Sequence, residues 1–121
     1  MGSFSVEKLI EFGAAWDRGD VQALMTFMTP DCVYSASVGP EPGETFVGTE
    51  AVRAGFTKML KHDASGTSKP GPVFVAGDRG VAEWSYEFID GDGKMTEVRG
   101  CDLFEFSGER IKRKDAFRKT L

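Results

Sequence analysis

The stretch VRGCDLFEFSGERI, residues 98–111, places one carboxylic acid in a row of aromatic side chains. Read as a β-strand, it alternates between two faces, so that Asp102, Phe104 and Phe106 share one face. A carboxylate on an apolar face loses hydration at a large cost unless it is paired or protonated. This face is therefore either exposed to solvent, or it lines an interior site in which Asp102 donates or accepts a proton.

The preceding strand has an aromatic face of its own, formed by Trp84, Tyr86 and Phe88. A three-residue hairpin loop at 91–93 brings the two aromatic faces together and places Ala82 opposite Asp102. Because the small residues Gly100 and Ala82 leave space beside the acid, Asp102 is expected to face a hollow in an apolar wall. Such a position raises the pKa of a carboxyl group and favours its neutral, proton-donating form.

The last hairpin determines which charged group faces Asp102. If Phe106 pairs with Ile111, the register places Asp115 opposite the acid, and two facing carboxylates share a proton. A slip of one residue, caused by a bulge in the basic last strand, brings Lys114 to Asp102 instead and forms an ion pair. The sequence leaves both arrangements open.

Three amphipathic helices and five strands are expected to position these residues. Ser5, Asp20 and Thr49 are the predicted helix N-caps, and residues 39–48, dense in Gly and Pro, are predicted to form a loop. The last four strands are predicted to form an antiparallel meander; the five strands are 32–38, 73–77, 81–89, 94–106 and 111–120. Because helices and strands are largely segregated along the chain, an α+β fold is expected.

Length and composition restrict the function classes. The chain has 121 residues and a net charge of −4, so residues 1–121 are expected to form one domain that binds neither nucleic acid nor a membrane. Cys32 and Cys101 form no CxxC pair, which indicates free thiols and a reducing, cytoplasmic compartment. The sequence has no metal-ligand spacing and no phosphate-binding loop, so neither a metal nor a cofactor is expected.

Three segments carry a resemblance to a known family: AAWDRGDVQALMTFMTPDCVY, GTEAVRAGF and GCDLFEFSGERI. In their order along nearly the whole chain they resemble the SnoaL-like branch of the nuclear-transport-factor-2-like superfamily. The resemblance implies a cystatin-like α+β roll, in which a curved antiparallel sheet forms a cone against three N-terminal helices. It also implies a homodimer formed through the outer face of the sheet.

The same resemblance gives Asp102 a role. Ketosteroid isomerases and polyketide cyclases of this superfamily have a carboxylic acid at the matching position, where it exchanges a proton with a substrate oxygen. Other positions depart from the isomerase pattern, because Phe12 stands where a hydroxyl is needed and Ala36 where the base is needed. Gly100 replaces the Arg of the epoxide-hydrolase pair, although Asp115 could supply a second acid.

The resulting candidate site has catalytic and binding positions. The candidate catalytic residues are Asp102, Tyr34 as a pocket hydroxyl, and Asp115. The candidate binding residues, for which plain core packing is the alternative, are Trp16, Phe12, Trp84, Tyr86, Phe88, Phe104, Phe56 and Lys114.

Two functions are compatible with this sequence. The first is a cofactor-free isomerase, cyclase or hydratase that acts on an apolar, ring-containing molecule through acid–base catalysis by Asp102. The second is a non-catalytic ligand-binding or dimerisation domain with a vestigial pocket. The apolar-face acid favours the first, and the missing hydroxyl and base favour the second.

Overall fold

The computed structural model describes residues 3–121. Within that range the helices are α1 (Val6–Arg18), α2 (Val21–Thr26) and α3 (Thr49–Asp63). The strands are β1 (Met28–Ser35), β2 (Thr45–Val47), β3 (Thr67–Ala76), β4 (Arg79–Ile89), β5 (Met95–Ser107) and β6 (Arg110–Thr120). The predicted α+β class is confirmed.

Two of the three predicted helix starts are confirmed by their capping bonds. The Ser5 hydroxyl accepts a hydrogen bond from the Lys8 amide at 3.1 Å, and the Asp20 carboxylate accepts one from the Ala23 amide at 3.1 Å. Gly19 ends α1 with a φ of 70°, a left-handed conformation that costs glycine little.

The third helix begins differently. Its N-cap is Gly48, which has no side chain to cap with, and Thr49 is the first helical residue. The Thr49 hydroxyl instead donates to the carbonyl of Pro30 at 3.2 Å. The predicted Thr49 cap is therefore wrong by one position, and its hydroxyl ties α3 to β1.

The strands form one curved, unclosed sheet in the order β2-β1-β6-β5-β4-β3. Two features of this sheet were not predicted. Strand β2 lies inside the segment 39–48 that was predicted as loop, and β1 pairs with β6 in parallel rather than antiparallel fashion. Pro30 lies within β1, where the pairing with β6 is irregular, as expected for a residue without an amide proton.

The β4–β5 hairpin has the register that the sequence predicts. Ala82 is opposite Asp102, and a three-residue loop at 91–93 is closed by the Asp90 amide, which donates to the Lys94 carbonyl at 2.9 Å. Gly93 has a φ of 76°, which this loop requires and glycine supplies. The aromatic faces of the two strands therefore lie side by side.

Helices α1 and α3 pack over the inner face of the sheet, against β3 and against β1 and β2 respectively. Their apolar sides meet that face through edge-to-face aromatic contacts. The Phe12 ring of α1 lies 6.2 Å from the Phe56 ring of α3 and 5.8 Å from the Phe104 ring of β5. This aromatic core occupies only part of the space between helices and sheet.

Candidate functional site

A cavity of about 530 Å³ fills the rest of that space. Side chains of α1, the end of α3, β1 and strands β3 to β6 line it, and most of them are apolar. Its apolar wall includes Leu9, Phe12, Trp16, Met59, Trp84 and Phe104. A cavity of this size and character is typical of a small-molecule site.

A buried ion pair lies in the wall of this cavity. The Lys114 ammonium is 3.4 Å from the Asp102 Oδ2, and the two side chains are 5% and 12% exposed. Both residues line the cavity. Asp102 thus faces the interior, and of the two arrangements that the sequence left open, the ion pair is the one observed.

Two aromatic rings surround the ammonium. The Lys114 Nζ lies 4.3 Å from the ring centre of Trp16 and 4.8 Å from that of Tyr34. Their negative ring faces attract the cation, most strongly where water is excluded. The lysine is therefore stabilised by three neighbours, of which only Asp102 is charged.

The pair leaves hydrogen-bonding capacity unused. Among residues 3–121, the Oδ1 of Asp102 is buried without a hydrogen-bond partner, and the Lys114–Asp102 contact is the only polar contact of the ammonium. An ammonium has three donors, and a carboxylate can accept several hydrogen bonds. Such capacity is costly to leave unmet in an apolar interior, which indicates a place for a ligand or for water.

The Tyr34 hydroxyl is the third polar group of this region. Burial, together with the negative charges of Asp102 and Asp63, raises the pKa of Tyr34 well above its usual range. The phenol therefore keeps its proton at neutral pH and acts as a donor. Tyr34 lines the cavity, so a ligand oxygen there can accept a hydrogen bond from it.

Small residues flank Asp102 on both neighbouring strands. Ala82 of β4 and Ala116 of β6 are its Cα partners, and both line the cavity. Gly100, which was also expected to leave space, has another function: a side chain there would collide with the Trp84 ring. The glycine thus allows the indole to lie flat against β5, and the two alanines leave the room beside the acid.

The structure brings together most of the predicted site residues. Those that line the cavity are Asp102, Tyr34, Trp16, Phe12, Trp84, Tyr86, Phe104 and Lys114.

Three predicted site residues are not part of the cavity wall. Phe56 is fully buried behind Trp16 and Tyr34, with ring centres 5.4 and 4.9 Å away, so it supports the wall from the core. Phe88 lies beyond Tyr86 towards the 91–93 turn, outside the cavity.

The third is Asp115, which lies on the opposite face of β6. Lys112 is an extra residue in this strand, because Phe106 pairs with Ile111 whereas Glu105 pairs with Arg113. Without the bulge, the face of Ile111 would continue to Asp115; with it, that face continues to Lys114. Asp115 therefore lies next to Arg113, 3.4 Å away, and cannot serve as a second acid in the cavity.

Five charged or titratable residues of the cavity were not predicted from the sequence. They are Asp17, His62, Asp63, Glu83 and Arg118. His62 is exposed at the end of α3, and its Nδ1 lies 3.2 Å from the Asp63 Oδ1. Burial raises the pKa of Asp17. Three of these residues, Asp17, His62 and Asp63, lie near the C-terminal ends of α1 and α3. The sequence marks those helix ends, but whether their side chains face the cavity depends on tertiary packing.

A family profile for the SnoaL-like domain matches residues 6–114. The chain therefore belongs to the SnoaL-like domain family, as its sequence motifs indicated. No curated protein sequence matches the chain.

Solved structures with a similar fold are NTF2-like proteins and enzymes. An NTF2-like protein of unknown function from Mesorhizobium loti is 26% identical, with a TM-score of 0.75 over 92% of this chain and 87% of its own. The epoxide hydrolase/cyclase-like enzyme SalBIII is 19% identical, with a TM-score of 0.72 over 92% and 87%. TerC, crystallised with polyporic acid, is 16% identical, with a TM-score of 0.75 over 94% and 90%.

No helix within residues 3–121 is long and apolar enough to cross a membrane. No group of three or more His, Cys, Asp or Glu side chains in the same range is placed to hold a metal ion.

Proposed function

We propose that the cavity binds an apolar, ring-containing small molecule whose carbonyl group lies at the Asp102–Lys114 pair. The observation that carries this proposal is the ion pair itself, which is buried in an apolar cavity with unused donors and an unused acceptor. Aromatic walls favour a ring, and a carbonyl oxygen accepts from the ammonium. The walls and the pair thus recognise different ends of one molecule.

The geometry supports acid–base chemistry without a cofactor. The Asp102 carboxylate would take a proton from the carbon beside the carbonyl, and the electron pair of that C–H bond would move into the carbonyl, forming an enolate. The Lys114 ammonium and the Tyr34 hydroxyl would donate hydrogen bonds to the enolate oxygen, where the charge develops. Where a C=C bond is conjugated with the enolate, return of the proton from Asp102 to the far end of that bond completes an isomerisation. Attack of the enolate carbon on a second carbonyl of the same molecule forms an alkoxide, and transfer of the proton from Asp102 to that alkoxide completes a cyclisation.

Similar structures support the class of ligand. SalBIII is described as taking part in pyran ring formation, and TerC was crystallised with polyporic acid. Below 25% identity these likenesses show the fold alone. They support the idea that this fold accommodates ring-containing molecules, and the residues of the cavity carry the rest of the proposal.

A second candidate function is ligand binding without catalysis. Phe12 and Ala36 are buried and apolar where the sequence resemblance implies a hydroxyl and a base. The Asp102 carboxylate is also already engaged by the Lys114 ammonium, which agrees with a binding role. In this alternative the cavity binds the same kind of molecule and releases it unchanged.

Hydrogen exchange distinguishes the two candidates. We expect the protein to accelerate the exchange of deuterium from D₂O into the carbon beside the carbonyl of 1-tetralone, measured by NMR. Asp102→Asn should abolish the acceleration, whereas Asp115→Asn, on the other face of the sheet, should not change it. Saturable binding of 1-tetralone without any acceleration would support the non-catalytic function.

We further propose that the protein forms a homodimer in a reducing, cytoplasmic compartment. Phe74, Leu103 and Phe117 are about half exposed on the outer face of the sheet. They form a continuous patch, because Phe74, Val81 and Leu103 are successive cross-strand partners and Phe117 is opposite Cys101. Cys101 and the buried Cys32 are both free thiols, which agrees with a reducing compartment.

A further inference from the structure

We propose that the Asp102–Lys114 pair selects neutral ligands in which a hydroxyl group stands beside a carbonyl group, on the adjacent or the next carbon. This inference rests on the proposed function and specifies its substrate class. It assigns to Lys114, a binding residue in the sequence-based prediction, the recognition of the carbonyl oxygen, and to Asp102 the recognition of the hydroxyl.

The first argument is the complement of donors and acceptors. Lys114 Nζ and the Tyr34 hydroxyl have donors to offer, and the Asp102 carboxylate has acceptor capacity to spare. A simple ketone satisfies the donors and leaves the carboxylate unmet. A simple alcohol can donate to the carboxylate, but its single oxygen lies at only one end of the pair. A hydroxyl with a neighbouring carbonyl satisfies both ends at once.

The second argument is distance. The nitrogen and the nearer carboxylate oxygen are 3.4 Å apart, so the two ligand oxygens that meet them must also be close neighbours. Oxygens on adjacent or next-but-one carbons meet this condition, whereas oxygens on opposite sides of a ring do not. Rotation about the last torsion of an Asp side chain is soft, so either carboxylate oxygen can turn towards the ligand hydroxyl.

The third argument is charge. The pair has no net charge and the Tyr34 phenol is neutral. Three further carboxylates line the cavity, those of Asp17, Asp63 and Glu83, and only one further basic side chain that is always charged, that of Arg118, is among the described lining residues. An anionic ligand would have to compete with Asp102 for the ammonium and would leave a second carboxylate unpaired in the interior. A neutral hydroxy-carbonyl adds hydrogen bonds without disturbing the ion pair.

Two positional isomers test this inference. The probes are 2-hydroxy-1-tetralone, in which hydroxyl and carbonyl are adjacent, and 4-hydroxy-1-tetralone, in which they lie on opposite sides of the same ring. Both tryptophans of the chain, Trp16 and Trp84, line the cavity, so their two indole N–H signals in a ¹⁵N correlation spectrum report binding at this place. Dissociation constants are measured by titration calorimetry.

We expect the adjacent isomer to bind about tenfold to a hundredfold more tightly, the effect of one additional hydrogen bond to a charged group. Lys114→Met should remove this preference, and Lys112→Met, an exposed lysine on the same strand, should keep it. The comparison of isomers uses the unaltered protein, so it remains decisive if a variant does not fold.

The outcomes separate this inference from the proposed function. Equal affinity for the two isomers, with both indole signals shifted, would overturn the hydroxy-carbonyl preference and leave the cavity as a binding site for ring ketones. If neither isomer nor 1-tetralone shifts the indole signals, the proposed function fails together with the inference. A preference that survives in Lys114→Met would show that the lysine does not read the carbonyl.

Discussion

The pairing of Asp102 with Lys114 changes what the acid can contribute. A carboxylic acid alone on an apolar face is a proton donor, whereas one held at 3.4 Å from an ammonium is the anionic half of a dipole. Burial of such a pair removes hydration from both charges, and the mutual attraction offsets this cost only with good geometry and further hydrogen bonds. Because the Oδ1 of Asp102 lacks such a bond, the pair is better explained by recognition than by stability.

The pair leads to a stability prediction. Asp102→Asn leaves the Lys114 ammonium buried without its counter-charge, and we expect a loss of about 3–5 kcal/mol in the free energy of unfolding. The double variant Asp102→Asn, Lys114→Met should recover much of that loss, since it removes both charges. Urea unfolding at neutral pH measures all three proteins.

Asp115→Asn is the matched control. Its carboxylate is 26% exposed and lies next to Arg113, so its removal should cost about 0–1 kcal/mol. Equal losses for Asp102→Asn and Asp115→Asn would contradict a buried, mutually dependent pair.

The Tyr34 hydroxyl leads to a prediction at high pH. Its pKa in the folded protein lies above that in the unfolded chain, which is about 10. Its contribution to stability is therefore fully present below about pH 10, and is lost as the pH rises and the unfolded state gives up the proton first. We expect the free energy of unfolding to fall more steeply with pH in the wild type than in Tyr34→Phe. Parallel pH profiles for the two proteins would refute this assignment.

At the scale of the elements, alternation within strands predicted much of the site. One bulge left the charged partner of Asp102 unpredicted. The inward positions of Asp102, Trp84 and Phe104 follow from the period of two, and the β4–β5 register follows from the three-residue loop. The choice between Lys114 and Asp115 depends on the extra residue Lys112, which no local pattern marks as a bulge. The reason is tertiary, since β6 must pair with both β5 and β1, and β1 contains Pro30.

Strand β2 and three residues of the cavity lining were not predicted from the sequence, for related reasons. Residues 45–47 form a strand by pairing with β1, and three residues are too few to show a period. Asp17, His62 and Asp63 lie near helix ends, and their place on the cavity follows from how α1 and α3 cross the sheet. Sequence alone predicts which faces of an element are apolar, but not the space left between elements.

The hydrogen bonds of the β4–β5 turn lead to a prediction about stability at acidic pH. The Asp90 carboxylate accepts hydrogen bonds from the Lys94 and Asp92 amides and from the Thr96 hydroxyl, and these bonds lower its pKa. The stabilisation is present above the pKa of an unfolded Asp, about 3.9, and is lost as the pH falls through the lower folded value.

Variants of the turn test this prediction. We expect Asp90→Ala to unfold at a lower urea concentration than the wild type at pH 7, and the difference to shrink below about pH 4. Asp92→Ala, in the same loop, is the control, because the bond that Asp92 makes to Asp90 comes from its backbone. A constant difference between Asp90→Ala and wild type at all pH values would show that the carboxylate charge does not matter.

At the scale of the whole molecule, the two faces of the sheet have separate tasks. The inner face holds the cavity, and the outer face presents the apolar patch of Phe74, Leu103 and Phe117. Contiguous apolar surface of this kind marks an interaction site. The bulge at Lys112 turns the Lys114 side chain towards the cavity and the Asp115 side chain towards the outer face. One local irregularity therefore decides which of these two charged groups faces the cavity.

The proposed homodimer can be tested on that patch. We expect sedimentation velocity to show a dimer for the wild type and a monomer for Leu103→Lys, since a lysine at the centre of the patch would have to be desolvated. Val47→Lys changes a more exposed apolar residue on the edge strand β2 and should remain dimeric. A monomeric wild type, or a dimeric Leu103→Lys, would exclude this surface as the interface.

Strand β6 lies between β1 and β5, so it is the seam that joins the first two strands to the β3–β5 meander. Strand β6 forms hydrogen bonds with residues that are synthesised much earlier. For example, the Arg110 guanidinium donates to the Met28 carbonyl, 82 positions before it in the chain. A ribosome therefore releases most of this domain with the β1 and β5 edges still open, and such edges promote aggregation. Completion of the sheet must wait for the last strand to emerge and for a long loop to close, which slows folding. The position of this one strand therefore delays closure of the sheet while the chain is being made.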